Sequence, residues 1–122
     1  MKIERVEFLS ADGGFRNLSF LKVSADDGLV GWSEFSYLWS APALRSVIEE
    51  LSQAIIGSDP RDTGRLVSQL RAMTNANIGG LISQAIGAIE NACLDLKGKV
   101  LGVPVYDLFG GRIGRASCRE RV

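Results

Sequence analysis

GLISQAIGAIENACLDLKGKVLGVPVYDLFGG, residues Gly80 to Gly111, is the stretch on which the fold turns. Wound as an α-helix, Gly80–Lys97 puts Ile82, Ile86, Ile89, Cys93 and Leu96 on one stripe at steps of three and four. Leu81, Ala85, Ala88 and Ala92 form a second stripe beside it. Together they make an apolar face roughly 160° wide at ~100° per residue. The small side chains on that face let a neighbouring backbone come close, so this helix is read as the centre of a core. Gly98-Lys99 reads as a break. Pro104–Phe109 reads as a short second helix stopped by Gly110-Gly111. Leu94 departs from the pattern, falling on the polar side with Ser83, Glu90 and Asn91. It is either a tolerated surface leucine or a residue covered by something outside this segment.

Upstream, the sequence predicts strands and then helices. Lys2–Ser10 mixes apolar, charged and β-branched residues and reads as a strand. Ala11–Gly14 is a turn. Phe15–Ser24 alternates as a second strand, and Leu29–Glu34 as a third, with Val30, Trp32 and Glu34 on one face. Asp26-Asp27-Gly28 between them is a tight hairpin turn, because Asp-Gly supplies left-handed backbone positions. Ala43–Ile56 is an amphipathic helix with Leu44, Val47, Ile48, Leu51, Ala54 and Ile55 on one face, stopped by Gly57. Asp59 is expected to cap the next helix, with Pro60 at its first position and Leu66, Leu70 and Met73 as its stripe. Asn75–Gly80 is a polar break. The fold class is therefore α+β: a three-stranded antiparallel meander followed by a three-helix bundle packed on one face.

Bulk properties narrow the function classes. The chain has 122 residues, a 46% apolar composition and zero formal net charge. That suits one domain with a real core. No basic excess points to nucleic acid, no apolar run has the length of a membrane span, and the start of the chain lacks a signal-peptide h-region. A cytoplasmic protein without nucleic-acid or membrane partners is the expectation. There is no histidine, which removes the commonest general base and metal ligand. Of the two cysteines, Cys93 sits on the buried stripe and reads as a small core residue.

Chemistry-bearing motifs are sparse. Gly13-Gly14 and Gly79-Gly80 are isolated pairs rather than phosphate loops. Asp26, Asp27, Asp59, Asp62, Glu90 and Asp95 are better explained as turn, cap or solvated-face residues than as a cluster. Two features stand apart. Phe35–Pro42 (FSYLWSAP) carries Phe35, Tyr37 and Trp39 without helical or strand period; these pack against the sheet or line a pocket completed elsewhere. Glu34, at the entry to that loop, is either a strand-end hydrogen-bonding residue or part of a pocket rim.

Two motifs then combine. Asp26-Asp27-Gly28-Leu29-Val30-Gly31-Trp32-Ser33-Glu34 and Ala92-Cys93-Leu94-Asp95-Leu96-Lys97-Gly98-Lys99, the latter followed by Gly102-Val103-Pro104-Val105-Tyr106-Asp107-Leu108-Phe109-Gly110-Gly111, resemble the N-terminal domain of the mandelate racemase/muconate lactonizing enzyme group of the enolase superfamily. The match covers Met1 to about Ile113, with Ser33 where a glycine is usual and Phe109 where a leucine is usual. The resemblance implies a capping domain on a modified (β/α) barrel. The barrel binds Mg²⁺ through three carboxylates and abstracts a proton α to a substrate carboxylate, in dehydratases, racemases and cycloisomerases. It implies a small carboxylate substrate such as an acid sugar, and a homo-oligomer for the full-length enzyme. It also implies that two cap loops, Ala11–Asn17 and Phe35–Ala41, close over the substrate, which makes Phe15, Arg16, Phe35, Tyr37 and Trp39 the specificity candidates.

After the double glycine the chain departs from that family. Arg112 to Val122 form no strand, so no catalytic residue and no metal ligand can be assigned. The expectation is a cap, residues 1–113, cut off from its barrel, with a disordered tail over 114–122. On its own it would bind no Mg²⁺ and turn over no substrate. The alternative is a stand-alone, non-enzymatic α+β module for binding or assembly.

Overall fold

The computed structural model describes residues 1–36, 43–77 and 79–114. The expected tail beyond Gly114 and most of the aromatic loop, with Tyr37 and Trp39, lie outside the described residues. Three strands form one antiparallel sheet in the order β1 (Ile3–Asp12), β2 (Asn17–Ala25), β3 (Val30–Phe35). Three helices follow: α1 (Ala43–Gln53), α2 (Thr63–Met73) and α3 (Gly80–Leu101). A 3-10 turn, Val105–Phe109, closes the described chain. The meander-then-helices order is the one read from the sequence.

The hairpin between β2 and β3 forms as Asp-Gly chemistry requires. Gly28 takes φ +89°, the Ala25 N–H bonds Leu29 O at 2.9 Å, and the Leu29 N–H bonds Asp27 Oδ1 at 3.1 Å. On β3, Gly31 and Phe35 are buried while Trp32 and Glu34 are exposed, so the strand turns its Gly31–Ser33–Phe35 side to the helices. The core joins Leu21 and Val23 of the sheet to Leu44, Ile48 and Ile55 near α1, Leu66 and Leu70 of α2, and both stripes of α3. Ile86, Ile89, Cys93, Leu96, Ala85, Ala88 and Ala92 are all buried, as the helical period dictates.

α3 meets β3 with unusual closeness. A Cβ built at Gly31 would overlap the Ala92 carbonyl oxygen and come within 2.8 Å of Leu96 Cγ. Ser33, where a glycine was expected, donates its hydroxyl to Ala88 O at 2.7 Å. The two sequence motifs, some sixty residues apart, are thus the two sides of one contact.

Three expectations are corrected. Gly98 does not break α3, which runs on to Leu101 and is capped by Gly102 at φ +70°. Gly98 is there for space: a Cβ would stand 2.9 Å from Val103 O, because the chain after the helix doubles back over it. Leu94 is 7% exposed, so of its two readings the covered one holds. Asp59 does not cap α2. The helix starts at Thr63 after Asp62, and the Asp59 carboxylate instead takes the Arg61 N–H and guanidinium, closing a turn ahead of the helix. Met73, at the frayed end of α2, is exposed.

Candidate functional site: the loop end of the sheet

Antiparallel pairing brings three chain positions to one end of the sheet. Asp12 pairs with Asn17, and Ser19 with Phe35, so the β1–β2 loop and the exit from β3 are neighbours. The loop is set by its own short-range bonds: Gly13 N–H to Arg16 O at 2.8 Å and Gly14 N–H to Asp12 Oδ1 at 2.9 Å, an Asx-type turn. It lifts Phe15 into solvent at 85% exposure. The Arg16 guanidinium lies 5.4 Å from the Phe15 ring centroid and 3.5 Å from Glu34 Oε1. Two residues singled out separately in the sequence, Arg16 and Glu34, therefore meet across the rim. Both are half-exposed, so the ion pair contributes little to stability and stays accessible.

Behind the rim, on the helix side of the sheet, lies a groove of about 300 Å³ lined by Phe8, Ser10, Asn17, Ser19, Phe35 and Arg45. Phe35 belongs to β3 rather than to a loop. It is buried and meets Phe8 edge to face, with centroids 6.0 Å apart at 86°. Its packing against the sheet is the first of the two roles left open for it, and its edge on the groove touches the second. Arg45, on α1, stacks over Phe8 at 5.0 Å. The helical period puts Arg45 on the polar face of α1, opposite Leu44, Val47 and Ile48; no local signal announces that this face meets the groove. A larger groove of about 460 Å³ lies at the opposite end, lined in part by Met1, Lys2, Asp59 and Asp62. There the hydrogen bond from Arg61 is the main cause holding the Asp59 carboxyl at about 2, against an ordinary 3.8.

The described residues of the loop end carry polar and aromatic groups without a catalytic pairing. They offer one guanidinium at the rim, a second in the groove, aromatic surface and hydroxyls, with no nucleophile set against a base. Among the described residues no three His, Cys, Asp or Glu side chains gather as a metal-ligand set. The residues present therefore do not fit the Mg²⁺ site that the resemblance implies for a complete enzyme. Cys93 is walled into the core, and burial, with a smaller push from the Glu90 charge, raises its thiol to about 12, so it is inert as a nucleophile. No helix among the described residues is long and apolar enough to cross a membrane.

The family described as "Mandelate racemase / muconate lactonizing enzyme, N-terminal domain" matches residues 14–110. D-galactonate dehydratase of Variovorax paradoxus is 37% identical over 97 residues, covering 77% of this chain and 25% of that protein. The crystal structure of a member of the enolase superfamily from Salmonella Typhimurium superposes with a TM-score of 0.83 at 30% identity, over 93% of this chain and 30% of the other. A mandelate racemase/muconate lactonizing protein from Paracoccus denitrificans, solved with magnesium, gives 0.81 at 33% identity, over 93% and 31%. The chain spans about a quarter of the length of the curated relatives it matches.

Proposed function

The chain belongs to the mandelate racemase/muconate lactonizing enzyme N-terminal domain family, and on that premise we propose that it is the substrate-capping domain of a Mg²⁺-dependent enolase-superfamily enzyme. The reaction class is proton abstraction α to a carboxylate, as in dehydratases, racemases and cycloisomerases, on a small carboxylate such as an acid sugar. Mg²⁺, when bound to the barrel of such an enzyme, stabilises charge developing on that carboxylate. Residues 1–113 form the cap and 114–122 a separate tail on this reading. A cytoplasmic, homo-oligomeric enzyme goes with it.

The observation that carries the proposal is the meeting of the two loop roots at one end of the sheet, with Phe15 exposed and Arg16 held beside Glu34. A rigid core behind a polar, aromatic rim is what a lid needs in order to orient a substrate and exclude water. Phe15 and Arg16 are assigned to substrate contact, Phe35 to anchoring the second loop, and Tyr37 and Trp39 to that loop itself. A barrel partner is supported by the exposed apolar residues Leu101, Tyr106, Phe109 and Ile113, all within the last thirteen residues of the proposed cap.

The test joins this cap to the barrel of a D-galactonate dehydratase relative and assays a panel of acid sugars. Turnover by the fusion and none by the chain alone is the expected result. Arg16→Ala in the fusion should lower kcat/KM by about tenfold, the loss of one charge-assisted contact. A folded fusion in which Phe15→Ala and Arg16→Ala leave kcat/KM unchanged for every substrate would remove the rim from the site.

A further inference from the structure

The hairpin and helix motifs hold a device that capping does not use. In the sheet, Ala25 bonds toward β3 through Leu29. By strand alternation Val23 and Leu21 do the same toward Gly31 and Ser33. Val30 and Trp32 therefore turn their backbone groups to the outer edge of the sheet, where a fourth strand would pair. That edge is taken. The Trp32 N–H donates to Asp95 Oδ2 at 2.9 Å, and Lys99 Nζ donates to Val30 O at 2.6 Å. Asp95 and Lys99 are one helical turn apart and 3.0 Å from each other.

An i,i+4 Asp–Lys pair on a helix is ordinarily a solvated ion pair of small consequence. Here each head lands on a backbone group of the same strand, more than sixty residues away in sequence. The two groups are the C=O before Gly31 and the N–H after it. In a parallel ladder a single residue of the added strand bonds that same pair, donating to one and accepting from the other. We infer that Asp95 and Lys99 together stand in for one residue of a fourth strand, and that they close β3 against strand addition. Gly31 completes the arrangement, because only a missing Cβ lets α3 come near enough for both side chains to reach. An open edge bearing two free backbone groups is a template for pairing with another chain; the occupant that the plug excludes is β3 of a second copy.

The experiment compares the whole chain with D95A/K99A by light scattering across concentrations and by amide exchange. The expected result is a Trp32 amide that exchanges about tenfold faster at dilutions where the variant is monomeric, and a mass that rises above that of the wild type as the concentration is raised. Adding W32P, which deletes the outward N–H at a position where an edge strand tolerates proline, should return the mass to the wild-type value. D95L/K99M, which keeps side-chain bulk while removing both polar heads, repeats the test should the alanine pair unfold. A folded variant whose Trp32 amide stays protected in the dilute monomer, whose mass does not rise, or whose association survives W32P overturns the inference.

Discussion

Along the flank of β3, Trp32 N–H, Val30 O and the Ser33 hydroxyl all end on α3, and Gly31 admits the helix backbone itself. At the β1–β2 loop, by contrast, Phe15 stands in solvent and Arg16 meets one half-exposed carboxylate. Both regions are built from short sequence motifs on the same sheet. The first uses backbone groups and small residues, where any added atom collides. The second uses long side chains with room around them. The difference separates the part of the chain that must be rigid from the part that is free to vary with a ligand.

Substitutions can break that contrast at either side. The largest effect is expected from Gly31→Val, which forces atoms into the Ala92 carbonyl and should cost more than about 3 kcal/mol; urea unfolding, or failure to yield folded protein, reads it. Leu94→Ala comes next, at about 2–3 kcal/mol, since the leucine is buried and its removal leaves a cavity; a surface leucine would cost almost nothing. Cys93 then reports on how dry the flank is. Its thiol is raised from 9.0 to about 12 in the folded chain. The unfolded chain therefore loses that proton first as pH rises, and the contribution, complete below pH 9.0, drains away as pH climbs toward about 12. Urea midpoints in a Cys118→Ser background should fall over that range more steeply than in the same chain carrying Cys93→Ala. The smallest effect belongs to Arg16→Ala, within about 0.5 kcal/mol by thermal melting. A loss comparable to that of Leu94→Ala would mean that the rim is structural and would erase the contrast.

The helix stripe was legible because burial on one face imposes a period, and every residue from Ile86 to Leu96 on that face obeys it. Gly98 was misread for a reason that lies outside the helix. Periodicity describes a helix with one buried side, whereas the segment after Leu101 returns to cover a second side, and nothing within the helix announces that return. Asp59 was misplaced because Asp-Pro suits a turn and a helix start equally, and the nearby Arg61 tipped the balance toward the turn. At the site, the resemblance marked Arg16, and its place at the end of the third strand marked Glu34. Their meeting depends on antiparallel pairing, which the alternation implies only once the strand order is known. Arg45 had no such marker, since its place beside Phe8 follows from how α1 lies against the sheet.

The first three residues have a consequence for the order in which the chain folds. The Lys2 N–H takes Asp26 Oδ1 at 3.0 Å, Asp26 N–H returns to Lys2 O at 2.9 Å, and Ile3 bonds both Ser58 O and Gly57 N–H at 2.8 Å. The start of the chain thus ties together two turns that lie about thirty residues apart. Loops of that length close slowly compared with a hairpin or a helix. During synthesis the β2–β3 hairpin can form as soon as it emerges, but β1 gains its last partners only after Ser58 has been made. β1, though it precedes β2 and β3 in the chain, is therefore the last of the three to be locked.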